Sequence, residues 1–311
     1  MKIAFIFPGQ GSQSVGMGKN FIGQFSESKE IFDIASSVLG YDLADLCMNG
    51  PADKLNLTEN TQPAILTTSI AILRVLEKKG LKAEAAAGHS LGEYSAITAA
   101  GGIEFKDAVA LVQKRGRYMQ EAVPAGVGLM AAILGLERSD VEKSCLEAAK
   151  NGIVAPANYN SPGQIVIAGE KTAVEKAMEL AKAAGAKKVV PLAVSVPSHC
   201  SMMKDAGEKL AKELDTITIR DLRFPIVNNA NAKFLRTAAE LKPSLLRQIS
   251  SSLYWEDSIN RMTAEGFDTF IEVGPGKVLS GLVKRIAKDA KVLNVEDAKS
   301  MSDTLAALGI N

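Results

Sequence analysis

The chain has 311 residues, 47% of them apolar, which allows one large core with a smaller insert. Its 36 Lys and Arg residues against 35 Asp and Glu leave no overall field to hold nucleic acid or an anionic membrane. Cys47, Cys145 and Cys200 are scattered without CxxC spacing, which fits a reducing cytoplasm and argues against a disulfide framework.

The first apolar run, Ile3 to Phe7, stops at Pro8-Gly9. It is too short for a signal peptide or a membrane span and reads as a buried strand. A glycine-rich loop, Pro8-Gly9-Gln10-Gly11-Ser12-Gln13, follows. Helical spacing covers about Phe25–Leu39 and Pro63–Lys79. Ala83–Ala87 has helical propensity, yet the segment Gly88-His89-Ser90-Leu91-Gly92 after it, with a helical pattern to Ala100, makes it a strand. Another helix is expected over Glu104–Ala122. No later apolar run reaches membrane length, so a cytoplasmic protein is expected.

Composition changes at Val123-Pro124-Ala125-Gly126. Beyond it the pattern predicts a strand (Val127–Leu134), a helix (Arg138–Asn151) and two strands (Ile153–Asn158, Gln164–Ala168). A helix (Thr172–Ala184) and a strand (Lys187–Leu192) complete the order βαββαβ, that of a ferredoxin-like unit. Residues 124–194 are therefore expected to form a ferredoxin-like subdomain, with the chain re-entering the larger unit near Val194. Residues 1–123 and 195–311 are expected to form a larger α/β-hydrolase-like domain, to which Pro225–Asn229 and Thr269–Val273 add strands. Strands alternating with helices predict a mainly parallel sheet covered on both faces.

Gly88-His89-Ser90-Leu91-Gly92 matches G-x-S-x-G, the nucleophile elbow. Small residues flank a serine on a sharp strand-to-helix turn, and the following helix N-terminus favours negative charge nearby. A plain glycine-rich turn is the competing reading. The hydroxyl needs a base, and only two histidines exist. His89 adjoins Ser90, where successive side chains diverge, which leaves His199 in Ser195-Val196-Pro197-Ser198-His199-Cys200. No Asp or Glu occupies an obvious third position, so a dyad with a neutral orienting group stays open. Oxyanion donors are expected from the N–H of Leu91 and, through the Gly9-Gln10-Gly11 loop, that of Gln10; a ligand-free turn is the alternative for that loop.

On the helix Glu104–Ala122, the residues Ala108, Leu111, Val112, Tyr118, Met119 and Ala122 form one stripe, and Arg115 projects from its middle. A buried guanidinium needs a partner. Arg115 therefore pairs with an internal carboxylate or awaits an anionic ligand, whose carboxylate its fork would bind bidentately.

Phe7-Pro8-Gly9-Gln10-Gly11-Ser12-Gln13, Gly88-His89-Ser90-Leu91-Gly92-Glu93-Tyr94 and Gln113-Lys114-Arg115-Gly116 occur in that order. Asn158-Tyr159-Asn160-Ser161-Pro162-Gly163-Gln164, Ser195-Val196-Pro197-Ser198-His199 and Glu272-Val273-Gly274-Pro275-Gly276 follow. Together these stretches resemble the malonyl-CoA–acyl carrier protein transacylases and the acyltransferase domains of fatty-acid and polyketide synthases. The resemblance implies that Ser90 carries the acyl group, His199 is the base and Arg115 holds the malonyl carboxylate. It places Gln10 and Leu91 at the oxyanion hole and Gln248 where a residue orients the histidine, with Met119 and Asn160 lining the pocket. It further implies malonyl-CoA and acyl carrier protein as partners, a monomer, and no cofactor beyond the coenzyme A thioester substrate. Lys187, Lys188, Lys284 and Arg285 are candidates for a basic rim facing an acidic carrier protein. Two rivals share some of these features: an α/β-hydrolase or thioesterase, with water as acceptor, and a non-catalytic acyl-CoA sensor or synthase scaffold.

Overall fold

The computed structural model describes residues 1–124, 126–192 and 196–310. Six strands form the larger sheet in the order Lys291–Val295, Thr269–Val273, Ile3–Phe7, Ala85–Gly88, Ile226–Val227, Phe234–Leu235. Neighbours pair in parallel except at the last, antiparallel edge. Successive side chains on Ile3–Phe7 point to opposite faces. Phe5 and Phe7 join the apolar cluster of Ile65, Leu66 and Ile97, whereas Ala4 and Ile6 join Trp255, Ile259 and Leu282. Both faces are covered, which explains an unbroken apolar run where a one-sided sheet would alternate.

The second sheet runs Lys188–Pro191, Gly128–Leu134, Gln164–Glu170, Val154–Ser161, Leu253–Tyr254. Its first four strands pair antiparallel in the ferredoxin-like arrangement. One face packs on the helices Arg138–Ala148 and Lys171–Ala183 through Ile133, Ile165, Ile167, Val141 and Val174. Met130, Val166 and Ala168 on the other face pack with Cys200.

Several features depart from the expected pattern. The helix expected from Pro63 begins at Thr58, so Pro63 lies inside it, where its ring removes one backbone hydrogen bond. The added turn is tied down by Thr61 Oγ donating to the Leu55 carbonyl at 2.6 Å and Asn60 Nδ2 donating to the Lys54 carbonyl at 2.9 Å. Leu253–Tyr254, which carries no strand-length signal, adds a parallel edge to the small sheet beside Asn158 and Tyr159. Lys291–Val295 is a half-exposed edge strand, and its weak apolar alternation hid it in the sequence. The expected junctions at Ala125 and near Val194 lie outside the described residues. Among the described residues no helix is long and apolar enough to cross a membrane.

Candidate active site

Ser90 stands at the turn between Ala85–Gly88 and the helix Leu91–Ala99, with φ 53° and ψ −104°. A non-glycine residue adopts this conformation only when its surroundings impose it. They do so here by close approach. A Cβ on Gly88 would lie 1.9 Å from the Gly92 carbonyl carbon, and one on Gly92 would lie 2.0 Å from the Phe7 carbonyl oxygen. The glycines thus let the elbow helix press against the first strand, and the serine hydroxyl is pushed out at its apex.

Ser90 Oγ and His199 Nε2 are 2.7 Å apart. His199 Nδ1 lies 2.8 Å from the main-chain carbonyl oxygen of Gln248, which can only accept, so the Nδ1 proton points there and Nε2 is left as the acceptor. The imidazole is held by backbone, and among the described residues no acid completes a triad, which leaves a serine–histidine dyad. His199 is 2% exposed. Burial, then the nearby Arg115 charge, pushes its pKa down to about 3, so the ring is neutral at pH 7.

Arg115, 1% exposed, reaches the same hydroxyl from another side, with Nη2 donating to Ser90 Oγ at 3.3 Å. Its other partners are neutral: Nη1 donates to Gln62 Oε1 at 2.8 Å and Nη2 to Gln248 Oε1 at 3.1 Å. The Tyr94 ring lies 5.2 Å below the guanidinium. The Nε–H is buried without a hydrogen-bond partner, and among the described residues Arg115 makes no ion pair. Of the two readings left open by the sequence, internal pairing with a carboxylate is therefore absent. A desolvated cation held by amides beside a nucleophile is built to receive an anion.

The acyl transferase domain family matches residues 4–304. Over 305 residues the chain is 50% identical to the malonyl CoA-acyl carrier protein transacylase of Escherichia coli K12, covering 98% of this chain and 99% of that protein. The crystal structure of an acyl carrier protein S-malonyltransferase from Vibrio cholerae superposes with a TM-score of 0.96 at 48% identity, covering 98% of this chain and all of that one. A malonyl-transacylase solved in complex with its type II polyketide acyl-carrier protein matches with a TM-score of 0.96 at 47% identity, over 99% and 100% of the two chains. The chain belongs to the acyl transferase family.

Within this acyl transferase, the glycine-rich loop abuts the elbow closely enough that a Cβ on Gly9 would lie 2.2 Å from the His89 carbonyl oxygen. Gln10 and Leu91 line the cleft beside Ser90, and neither backbone N–H donates a hydrogen bond among the described residues. The cleft measures about 250 Å³ and lies between the two sheets. Met119 and Asn160 both line it. Asn160 Oδ1 also lies 2.9 Å from His89 Nε2, and the His89 ring meets Trp255 edge-on at 5.7 Å. His89 thus ties the elbow to the small sheet and takes no place beside the serine hydroxyl.

Gln248 acts through two parts. Its main chain orients His199, while its side-chain Nε2 donates to the Ser90 carbonyl and to Glu93 Oε2, each at 2.9 Å. Sequence reasoning missed Glu93, Asn229 and Gln62. Asn229 pins the elbow from the neighbouring strand: its Oδ1 accepts from Ser90 N–H at 2.8 Å and its Nδ2 donates to the Gly88 carbonyl at 2.7 Å. The signal available for it was position, since Asn229 ends a predicted strand and active groups gather at carboxyl ends of parallel strands.

Proposed function

We propose that this chain transfers a malonyl group from coenzyme A to the phosphopantetheine thiol of acyl carrier protein through a malonyl ester on Ser90. The observation that carries the reading is Arg115. A buried guanidinium with no protein carboxylate stands 3.3 Å from the nucleophile, where the free carboxylate of a malonyl thioester would meet it. The relatives named malonyl CoA-acyl carrier protein transacylase, and the one solved with an acyl-carrier protein, support the same donor and acceptor.

The reaction proceeds by ping-pong. Neutral His199 takes the Ser90 proton through Nε2 as Oγ attacks the thioester carbonyl. The resulting oxyanion faces the Gln10 and Leu91 N–H groups, with the elbow helix N-terminus behind it. Collapse restores the carbonyl and expels the coenzyme A thiolate, which takes the proton from His199. The carrier's pantetheine thiol then enters, gives its proton to His199 and attacks the ester. The second collapse expels Ser90 Oγ, which recovers that proton. The chain and the thioester supply every bond that changes, so the proposal includes no cofactor. All of these groups come from one chain, which supports a competent monomer, with residues 124–194 as an inserted unit roofing the site. Arg285, which donates to Gln164 Oε1 at 2.7 Å where Gln164 lines the cleft, is well placed in a basic rim for an acidic carrier.

Intact-mass measurement after mixing with malonyl-CoA tests the reading. One malonyl adduct should form and persist in water, and holo acyl carrier protein should remove it rapidly. Loss at the same rate without the carrier would make the enzyme a hydrolase.

A further inference from the structure

Among the described residues Glu93 is the one fully buried carboxylate in contact with the groups around Ser90, and nothing in the transfer reaction uses it directly. It lies in the first turn of the elbow helix with no exposed surface. Its Oε2 accepts from the Asn229 N–H and from Gln248 Nε2, both at 2.9 Å, and its Oε1 accepts from Ser244 Oγ at 3.5 Å. No cation touches it among the described residues. Beyond Gln248, however, lies Arg115, which donates to the other end of the same amide, Gln248 Oε1, at 3.1 Å.

That geometry leaves the amide a single workable orientation. An ionised carboxylate and the Ser90 carbonyl accept only, and a guanidinium donates only; burial raises the Glu93 pKa to about 7, and the arrangement described is that of its ionised form. With the NH₂ end on Glu93 and the Ser90 carbonyl, the C=O end must face Arg115. Turned over, the amide would set its oxygen against the carboxylate and its protons against the guanidinium. We infer that Glu93 is a positioning residue for acyl-group selection: through the Gln248 amide it fixes Arg115 where a malonyl carboxylate is received. It also leaves the side of the guanidinium that donates to Ser90 Oγ at 3.3 Å without a protein carboxylate among the described residues. A carboxylate in direct contact with Arg115 would compete with the substrate; one relayed through an amide does not.

This inference rests on the malonyl-transfer reading, so its test includes Arg115→Ala as a separate arm. Glu93→Gln keeps the shape and removes the fixed acceptor, and the second-order rate constants of Ser90 acylation are measured with malonyl-CoA and acetyl-CoA. The malonyl-to-acetyl ratio should fall at least about ten-fold, equivalent to about 1.4 kcal/mol. Gln248→Leu, which breaks the relay from its other end while leaving the backbone carbonyl on His199, should lower the ratio similarly. The double variant should fall no further than the worse single one, because both act on one path. Equal losses on both substrates in Glu93→Gln would make Glu93 a brace for the elbow and overturn the inference. Additive losses in the double variant would do the same. Should Glu93→Gln not fold, Gln248→Leu alone decides: an unchanged ratio refutes the relay. If Arg115→Ala itself leaves the ratio unchanged, the malonyl reading fails instead.

Discussion

Replacing Arg115 with alanine tests the central electrostatic claim, and its size can be worked from the site. In the native cleft the guanidinium is desolvated, held by Gln62 and Gln248, and unpaired by any protein carboxylate. A malonyl carboxylate bound there gains charge-assisted hydrogen bonds of about 1.5–3 kcal/mol each. Without Arg115 that carboxylate enters a site closed to water with no cation, and breaking one side of a buried pair costs about 3–5 kcal/mol. At about 1.4 kcal/mol per decade, malonyl transfer should fall by roughly two to three and a half orders of magnitude. Acetyl transfer brings no charge to be met. It loses only the 3.3 Å bond from Arg115 to Ser90 Oγ, which malonyl transfer loses equally, so that contribution cancels in the ratio. The assay is kcat/KM for both thioesters, with folding checked by circular dichroism. A malonyl-to-acetyl ratio that moves by less than about ten-fold would show that Arg115 serves packing and does not read the acyl group.

Three further outcomes are expected. Ser90→Ala should fold and take up no acid-stable label from radioactive malonyl-CoA; label retained elsewhere on the chain would remove Ser90 from the mechanism. Burial lowers the pKa of both imidazoles, that of His199 to about 3, so the His199 ring resonance should not titrate between pH 8 and 5 in the folded protein. Because the folded value lies below the unfolded value of about 6.5, the unfolded chain binds more protons, and His199 makes folding less favourable as pH falls from about 6.5 toward 3. A His199 ring titrating near 6.5 in the native state would contradict the desolvated site. Gly92→Ala should abolish soluble protein, because its methyl would sit 2.0 Å from the Phe7 carbonyl oxygen, with backbone on both sides of the clash. A stable, active Gly92→Ala enzyme would mean the elbow does not depend on that approach.

Local patterns carried much of this protein in plain view. The apolar run at Ile3–Phe7, the alternation through residues 127–192 and the G-x-S-x-G segment depend on near neighbours, because side-chain period and turn chemistry repeat within a few residues. With two histidines in the chain, elimination was enough to reach His199. The short edge strands Phe234–Leu235 and Leu253–Tyr254 were beyond that reach, since two residues hold no period and their pairing is decided by what lies beside them.

From the sequence alone came a candidate nucleophile, a candidate base and a cation on the wrong face of a helix. Whether Arg115 was paired or free was left to the tertiary structure, which sets neutral amides from residues 62 and 248 against it. Folding alone also showed that His199 leans on a backbone carbonyl and that Glu93 accepts a hydrogen bond from the Gln248 amide. The reason is physical: a side chain's charge state and orientation depend on the oxygens and protons within about 3 Å, and here those belong to segments far apart along the chain.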